Sequence, residues 1–201
     1  IAFGVATGRV LKSTLKVLKE WAIPPPDVLI TAVGSEIYYG KNHLVEDAGW
    51  RRLIDRRWDR EALEALLDGV PGLRLQAKAN QRPFKLSYDV EPDAAPSMRD
   101  IKGRIKRAGL EASVIYSHEA YLDLLPSRAS KGGALRYLSH RWGLPMERLL
   151  VAGDSGNDAE MLTSGAFGIV VGNYSPELGT LRGRDGVYFA DASGRLIYAN
   201  P

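Results

Sequence analysis

The residues with the clearest chemical potential are Gly153-Asp154-Ser155-Gly156-Asn157-Asp158, which follow directly on the apolar run Leu149-Leu150-Val151-Ala152. In open α/β sheets, ligands bind beyond the carboxyl ends of strands. Two carboxylates four residues apart, with two glycines and an amide in the same six residues, suit a hard divalent cation. Mg²⁺ takes oxygen ligands, keeps several waters and uses one or two carboxylates beside a phosphate. The plainer alternative is an Asx-Gly turn that caps the next helix. A second candidate is Lys131, which follows Ser130 at the predicted start of a helix. The positive end of a helix disfavours a cation, so a lysine there has a purpose if an anion shares the site. Free backbone N–H groups bind phosphate at such ends, and a lysine adds point charge. An ordinary solvent-exposed lysine is the alternative. Thr7-Gly8-Arg9 stands at the end of the first apolar run and offers a hydroxyl, a close backbone approach and a guanidinium fork. Converging, these three strand-to-helix transitions would make a phosphate-plus-Mg²⁺ pocket.

The elements that must position these residues alternate in type. Ile1 to Val5 reads as a buried strand, and Val10, Leu11, Leu15, Leu18 and Trp21 recur at helical spacing until Pro24-Pro25-Pro26 stops the helix. Val28 to Thr31 is a second strand, followed by the turn Gly34-Ser35-Glu36. Buried strands alternating with amphipathic helices predict a parallel sheet covered by helices. The middle differs. A helix capped by Asp59 carries Leu63, Leu66 and Leu67, and another opens at Ser97-Met98-Arg99-Asp100 with Ile101 and Ile105. In Phe84 to Val90, Phe84, Leu86, Tyr88 and Val90 fall on one face, with Lys85, Ser87 and Asp89 opposite. Such alternation predicts an antiparallel sheet with one open face. Leu73 to Gln76, Ala112 to Tyr116 and Tyr121 to Leu125 are further strands. From Lys131 the strand-helix rhythm resumes, through Leu135, Leu138 and Trp142, the strand Leu149 to Gly153, the helix at Met161-Leu162 and the strands Ile169 to Val171 and Val187 to Phe189. The fold class is α/β, a parallel-sheet core interrupted by an α+β insert.

Composition narrows the field. Among 201 residues there is no cysteine, and 27 Lys+Arg less 24 Asp+Glu leaves a net charge of +3. That excludes a disulfide scaffold, a thiol enzyme and a zinc-finger cluster. The weak positive field, with Arg51, Arg52, Arg56, Arg57 and Arg60 read as a solvated helix face, argues against a nucleic-acid partner. No apolar run approaches the roughly 20 residues needed to span a membrane. His43, His118 and His140 lack metal-ligand spacing, and Trp21, Trp50, Trp58 and Trp142 are expected to pack helices. With no targeting signal in view, a cytoplasmic location is expected.

Thr7-Gly8-Arg9, Ser130-Lys131-Gly132 and the GDSGND loop resemble the second, third and fourth motifs of the haloacid dehalogenase (HAD) superfamily of phosphohydrolases. The insert resembles that superfamily's C2-type cap, in its Cof-like branch. Val33-Gly34-Ser35-Glu36-Ile37-Tyr38-Tyr39, Phe84-Lys85-Leu86-Ser87-Tyr88 and Val171-Gly172-Asn173 are similar to the sucrose-phosphate phosphatases, and equally to the phosphatase-like domain of bacterial sucrose-phosphate synthases. The resemblance implies a HAD-like Rossmannoid core in two parts, 1–47 and 119–201, around a cap at 48–118. It also implies attack by an aspartate on the phosphoryl group, an aspartyl-phosphate intermediate and hydrolysis by water. Thr7 would bond the phosphoryl oxygens, with Gly8 and Arg9 beside it, and Lys131 would neutralise them. Asp154 would hold Mg²⁺, Asp158 would ligate it or orient Lys131, and Asn157 would contact the phosphate or shell waters.

One departure is severe: the nucleophilic Asp-x-Asp is absent, and no Asp occurs before Asp27. With Thr7, Lys131 and the GDSGND loop all intact, a segment upstream of Ile1 is expected to carry it. The cap is expected to select the sugar. Gln81, Arg82, Lys85 and Tyr88 lie on or beside its open strand, and Glu36 could accept sugar hydroxyls; a solvated face and a simple turn are the alternatives. Three functions compete. The first is a Mg²⁺-dependent phosphatase of sucrose 6-phosphate. The second is a non-catalytic tail domain of a sucrose-phosphate synthase, binding sugar phosphate or docking a partner phosphatase. The third is a phosphatase for another phosphosugar, such as a mannosyl-phosphoglycerate.

Overall fold

A computed structural model describes residues 1–40, 44–117 and 119–197; His43 and His118, and the cap boundary expected at 118, lie outside the described residues. The chain forms two compact units, Ile1–Ala129 and Ser130–Pro201.

The first unit opens with β1 (Gly4–Ala6), α1 (Leu11–Glu20), β2 (Val28–Thr31), β3 (Glu36–Tyr39) and β4 (Val45–Glu46), in a sheet ordered β1-β2-β3-β4. All four residues of the branched run Val-Leu-Ile-Thr in β2 are buried, and Leu29 packs with Leu18 of α1 and Tyr38 of β3. Each such aliphatic side chain contributes roughly 1.5–3 kcal/mol by leaving water. The β1–β2 pair is parallel, as alternation predicts, but β2 and β3 run antiparallel with Ile30 opposite Ile37. A hairpin therefore replaces the simple turn expected at Gly34. Its reversal uses positive φ at Ala32 (50°), Val33 (62°) and Gly34 (97°), and nothing in the composition of Ala-Val announces such a bend.

The unit continues with α2 (Ala48–Asp55), α3 (Arg60–Leu67), β5 (Leu73–Leu75), β6 (Leu86–Val90), α4 (Met98–Arg107), β7 (Ser113–Ser117) and β8 (Tyr121–Leu125). A second sheet, ordered β5-β6-β8-β7, is antiparallel throughout. It extends past position 118 to Leu125, because β8 lies between β6 and β7. One face packs against the helices: Leu63, Leu67, Ile101 and Ile105 meet Leu86, Tyr88, Val90, Leu122 and Leu124. The helix starts follow their caps, with Asp59 accepting from Ala62 N and Ser97 from Asp100 N. Arg51, Arg52, Arg56 and Arg57 are exposed, and Arg51 and Arg57 pair with Glu46 and Glu111.

Asp47 caps α2 by accepting from Trp50 N (2.8 Å), and it also accepts the Tyr39 hydroxyl. Asp47→Ala removes both bonds from a buried position. Stability is expected to fall by about 1–3 kcal/mol, read as a lower urea midpoint with the same m-value.

The tryptophans divide. Trp50 is buried and donates to Gly34 O (3.0 Å), fastening α2 to the hairpin. Trp21, by contrast, is 77% exposed, because it stands one residue beyond α1, where the helical face ends. Trp142 is also exposed.

The second unit contains α5 (Lys131–Trp142), β9 (Leu150–Gly153), α6 (Ala159–Leu162), β10 (Phe167–Val170), β11 (Val187–Ala190) and β12 (Leu196–Ile197). Strands β9, β10 and β11 are parallel, and β12 is antiparallel at the far edge. Gly143 closes α5 in the left-handed conformation that glycine tolerates. The expected burial of the first strand and of β9 is only partly found: Val151 is buried but Leu150 is 68% exposed, and among the described residues β9 pairs with β10 alone and β1 with β2 alone. Both are edge strands within their units, so fewer neighbours cover them. Among the described residues, no helix is long and apolar enough to cross a membrane.

Candidate active site

In the second unit the chemistry gathers at the carboxyl end of β9 and the first turn of α5. Ser130 caps α5 by accepting from Gly133 N (2.8 Å), which fixes Lys131 as the first helical residue. Lys131 is only 5% exposed, so the alternative of a solvated lysine is excluded. Its Nζ donates to Asp158 Oδ1 (2.7 Å) and to Asn157 Oδ1. A cation held against the helix dipole is costly unless paired, and here the loop supplies the carboxylate and the amide oxygen that hold it. Close approach makes this possible. A Cβ on Gly153 would lie 2.5 Å from Asp158 Cβ, and one on Gly132 would lie 2.7 Å from Glu160 Cγ.

Asp158 is bonded through both carboxylate oxygens. Besides Lys131, its Oδ2 accepts from Asp154 N (3.1 Å), Ser155 N (3.2 Å) and the Ser155 hydroxyl (3.4 Å), and the residue is 3% exposed. This reciprocal capping satisfies the turn, as the plainer alternative expected, and the cation that the loop holds is the Lys131 ammonium. Of the two alternatives for Asp158, the contact from Oδ1 to Lys131 Nζ is the one that orientation of the lysine requires. Asp154 is the opposite. It is exposed, and its carboxylate makes no hydrogen bond or ion pair among the described residues. Among those residues, no three His, Cys, Asp or Glu side chains gather around a common point. A donor set of one free carboxylate beside backbone oxygens fits Mg²⁺, which keeps most of its waters, and does not fit a dedicated all-protein cage.

In the first unit the Thr7-Gly8-Arg9 loop is locked to the hairpin. Thr7 N donates to Ile30 O (2.9 Å), Ala32 N to Arg9 O (2.8 Å) and Val33 N to Thr7 O (3.1 Å). These bonds hold Ala32 and Val33 at positive φ, a strained conformation that persists only where surroundings over-determine it. The Thr7 hydroxyl accepts from Arg9 N (3.2 Å), leaving its own proton to donate.

The face of the second sheet expected to be open is buried at Lys85, Ser87 and Asp123, and it comes to the same loop. Lys85 Nζ lies 3.4 Å from Gly8 O and 3.2 Å from Asp123 Oδ1, whose same oxygen accepts from the Ser87 hydroxyl (2.6 Å). Gln81 pins the preceding loop, donating to Gln76 O and Ser87 O and accepting from Ser87 N. Glu36, 4% exposed, accepts from Thr31 Oγ1 (2.9 Å) and pairs with Arg82. Beside it, burial pushes the Tyr38 hydroxyl up to about 12, with the charges of Glu36 and Glu46 adding to the shift. Thr7, Gly8, Arg9, Glu36, Gln81 and Lys85 thus belong to one connected polar region of the first unit.

Tyr88 does not join them. Strand alternation puts it on the packed face with Leu86 and Val90, where it is 2% exposed. Sequence reasoning also passed over Thr31, Ser87 and Asp123. Asp123 carried a signal, as a lone carboxylate in the apolar strand Tyr-Leu-Asp-Leu-Leu, where a buried charge must be paired.

Residues 1–195 match the family described as sucrose-6F-phosphate phosphohydrolase. Sucrose-phosphatase 2 of Nicotiana tabacum is 38% identical over 178 residues, covering 86% of this chain and 42% of that protein. Mannosylfructose-phosphate phosphatase of Agrobacterium fabrum is 29% identical over 184 residues, covering 91% of this chain and 74% of that one. Among solved structures, the sucrose-phosphatase of Synechocystis in complex with sucrose and phosphate superposes with a TM-score of 0.86 at 36% identity, over 93% of this chain and 77% of that one. A haloacid dehalogenase-like hydrolase of Bacillus subtilis shares the fold, with a TM-score of 0.61 at 20% identity over 93% of this chain and 72% of that one. The chain spans less than half the length of the tobacco protein.

Proposed function

The chain belongs to the sucrose-6F-phosphate phosphohydrolase family, within the HAD fold, and from that premise we propose that it works in a Mg²⁺-dependent phosphatase that converts sucrose 6-phosphate to sucrose and phosphate. The observation that carries the reading is Lys131, buried and held by Asn157 and Asp158 beside the free carboxylate of Asp154. Phosphoryl transfer asks the protein mainly for positioning and charge neutralisation. Lys131 supplies a fixed positive charge for the phosphoryl oxygens, and Asp158 positions it. Thr7 donates its hydroxyl proton to a phosphoryl oxygen, with Gly8 and Arg9 shaping that loop. Asp154 holds Mg²⁺, which when bound offsets charge on the transferring group. Asn157 keeps its amide N–H₂ free to donate to phosphate or a shell water, since its oxygen faces Lys131. The second sheet acts as a C2-type cap; its Lys85-Asp123-Ser87 group, with the pair that Arg82 makes to Glu36 of β3, selects the sugar.

The nucleophile and the general acid-base belong to an Asp-x-Asp sequence, which these 201 residues do not contain. Chain extended upstream by a strand ending in Asp-x-Asp is expected to release phosphate from sucrose 6-phosphate only with Mg²⁺, while residues 1–201 alone release none by this route. Activity that persists in EDTA would overturn the metal assignment. The choice of sugar rests on the name of the Synechocystis complex and of the tobacco relative. A second reading, another phosphosugar, is favoured by the Agrobacterium relative, of which this chain covers the larger share. A panel containing both phosphosugars separates them by kcat/KM. The reading also places the activity in the cytoplasm, with a sucrose-phosphate synthase supplying the substrate.

A further inference from the structure

The loop that carries Asp154 is gripped by a segment that belongs to none of the chemical motifs. Ser175 and Glu177 stand at the start of the 3-10 turn Pro176–Leu181 and reach back to it. Ser175 N donates to Asp154 O (2.7 Å), and Glu177 Oε1 accepts from Gly156 N (3.1 Å). These contacts fall on either side of Ser155, so the backbone from Asp154 to Gly156 is held at both ends. Within the loop, Asp158 accepts from Asp154 N and Ser155 N. Glu177 adds to that set a carboxylate from outside the loop.

The approach is close. A Cβ on Gly156 would lie 2.9 Å from Glu177 Oε1 and 3.3 Å from Glu177 Cγ. Gly156 is not among the glycines with positive φ, so room for a neighbour, and not backbone freedom, is what glycine supplies there. The two glycines of the motif thus each admit a carboxylate, Gly153 that of Asp158 and Gly156 that of Glu177. Glu177 is exposed, and among the described residues no Lys or Arg pairs with it. Its carboxylate is engaged by a backbone N–H, and such charge-assisted bonds are roughly twice as strong as neutral ones.

We infer that Glu177 is a positioning residue for the metal-binding loop: by fixing the Gly156 N–H it holds the Asp154 backbone where the free carboxylate meets Mg²⁺. This rests on the role proposed for Asp154. Outer partners of this kind orient the residues that ligate a metal, and losing one costs roughly 10–100-fold in metal affinity. A carboxylate that merely capped the short turn Gly156–Asp158 would stabilise the fold and leave that affinity unchanged.

Unfolding temperature followed against Mg²⁺ concentration tests this, in the chain extended by the Asp-x-Asp strand, for the parent, Glu177→Ala and Glu177→Gln. The parent is expected to rise with Mg²⁺, because a ligand of the folded chain stabilises it. Glu177→Ala is expected to need about tenfold more Mg²⁺ for the same rise. Glu177→Gln keeps a side-chain oxygen that can accept from Gly156 N and is expected to stay near the parent. Hydrogen exchange at the Gly156 amide without Mg²⁺ is expected to quicken in the alanine variant and to slow again in the glutamine one. An equal Mg²⁺ requirement in parent and Glu177→Ala, a glutamine variant as weak as the alanine one, or unchanged exchange at Gly156 overturns the inference and leaves the metal assignment standing. A parent that does not respond to Mg²⁺ refutes the metal assignment itself, and the role of Glu177 falls with it.

Discussion

Lys131→Ala is expected to lower kcat for phosphate release by about 10²–10³-fold in a chain carrying the Asp-x-Asp strand, with a smaller change in KM. Negative charge is spread over the phosphoryl oxygens at the transition state, and a fixed cation matters most there. The same substitution also loosens the fold. Lys131 and Asp158 are both buried, and removing the lysine leaves the Asp158 carboxylate with only N–H and O–H donors from Asp154 and Ser155. Breaking a buried pair on one side costs roughly 3–5 kcal/mol, so thermal unfolding is expected at lower temperature. The double variant Lys131→Met/Asp158→Asn separates the two effects. It removes both charges together and is expected to recover most of the lost stability while kcat stays low. Recovery of activity along with stability would show that Lys131 serves the loop and not the phosphate.

The site was more legible than the architecture around it. Loop chemistry is written in local sequence: Gly153 admits the Asp158 side chain, Ser130 caps α5, and two carboxylates fall within one turn. The β2–β3 hairpin was not legible, because its positive-φ residues are Ala32 and Val33 and the bonds that hold them come from Thr7 and Arg9, more than twenty positions away. Tyr88 was legible and was set aside. The alternation of Phe84 to Val90 already placed it with Leu86, opposite Lys85 and Ser87, and the structure keeps that division. The Glu36-Arg82 and Lys85-Asp123 pairs join residues distant in sequence, so no spacing rule could match the partners, although each buried charge demanded one.

Asp154 is expected to behave in the opposite way to Lys131 under mutation. Its carboxylate holds nothing in the fold; its backbone N–H donates to Asp158 and its carbonyl accepts from Ser175 N (2.7 Å), and both survive substitution. Asp154→Asn is therefore expected to leave stability without Mg²⁺ within about 0.5 kcal/mol of the parent. Activity at saturating substrate is expected to fall by about 10³-fold, since charge on the transferring phosphoryl group loses its divalent counterpart. A readout independent of turnover comes from linkage: a ligand that binds only the folded chain raises its stability by RT ln(1 + [L]/Kd). The parent's unfolding temperature should rise as Mg²⁺ is added, and that of Asp154→Asn should not. An equal rise in both would move the metal away from Asp154. Unequal rises with equal activity would separate binding from catalysis and refute the role assigned to the ion. The contrast with Lys131 is what makes the pair of variants informative: one residue is buried, paired and needed by the loop, the other exposed and without a partner among the described residues, so activity and stability are expected to fall together at the first and to separate at the second.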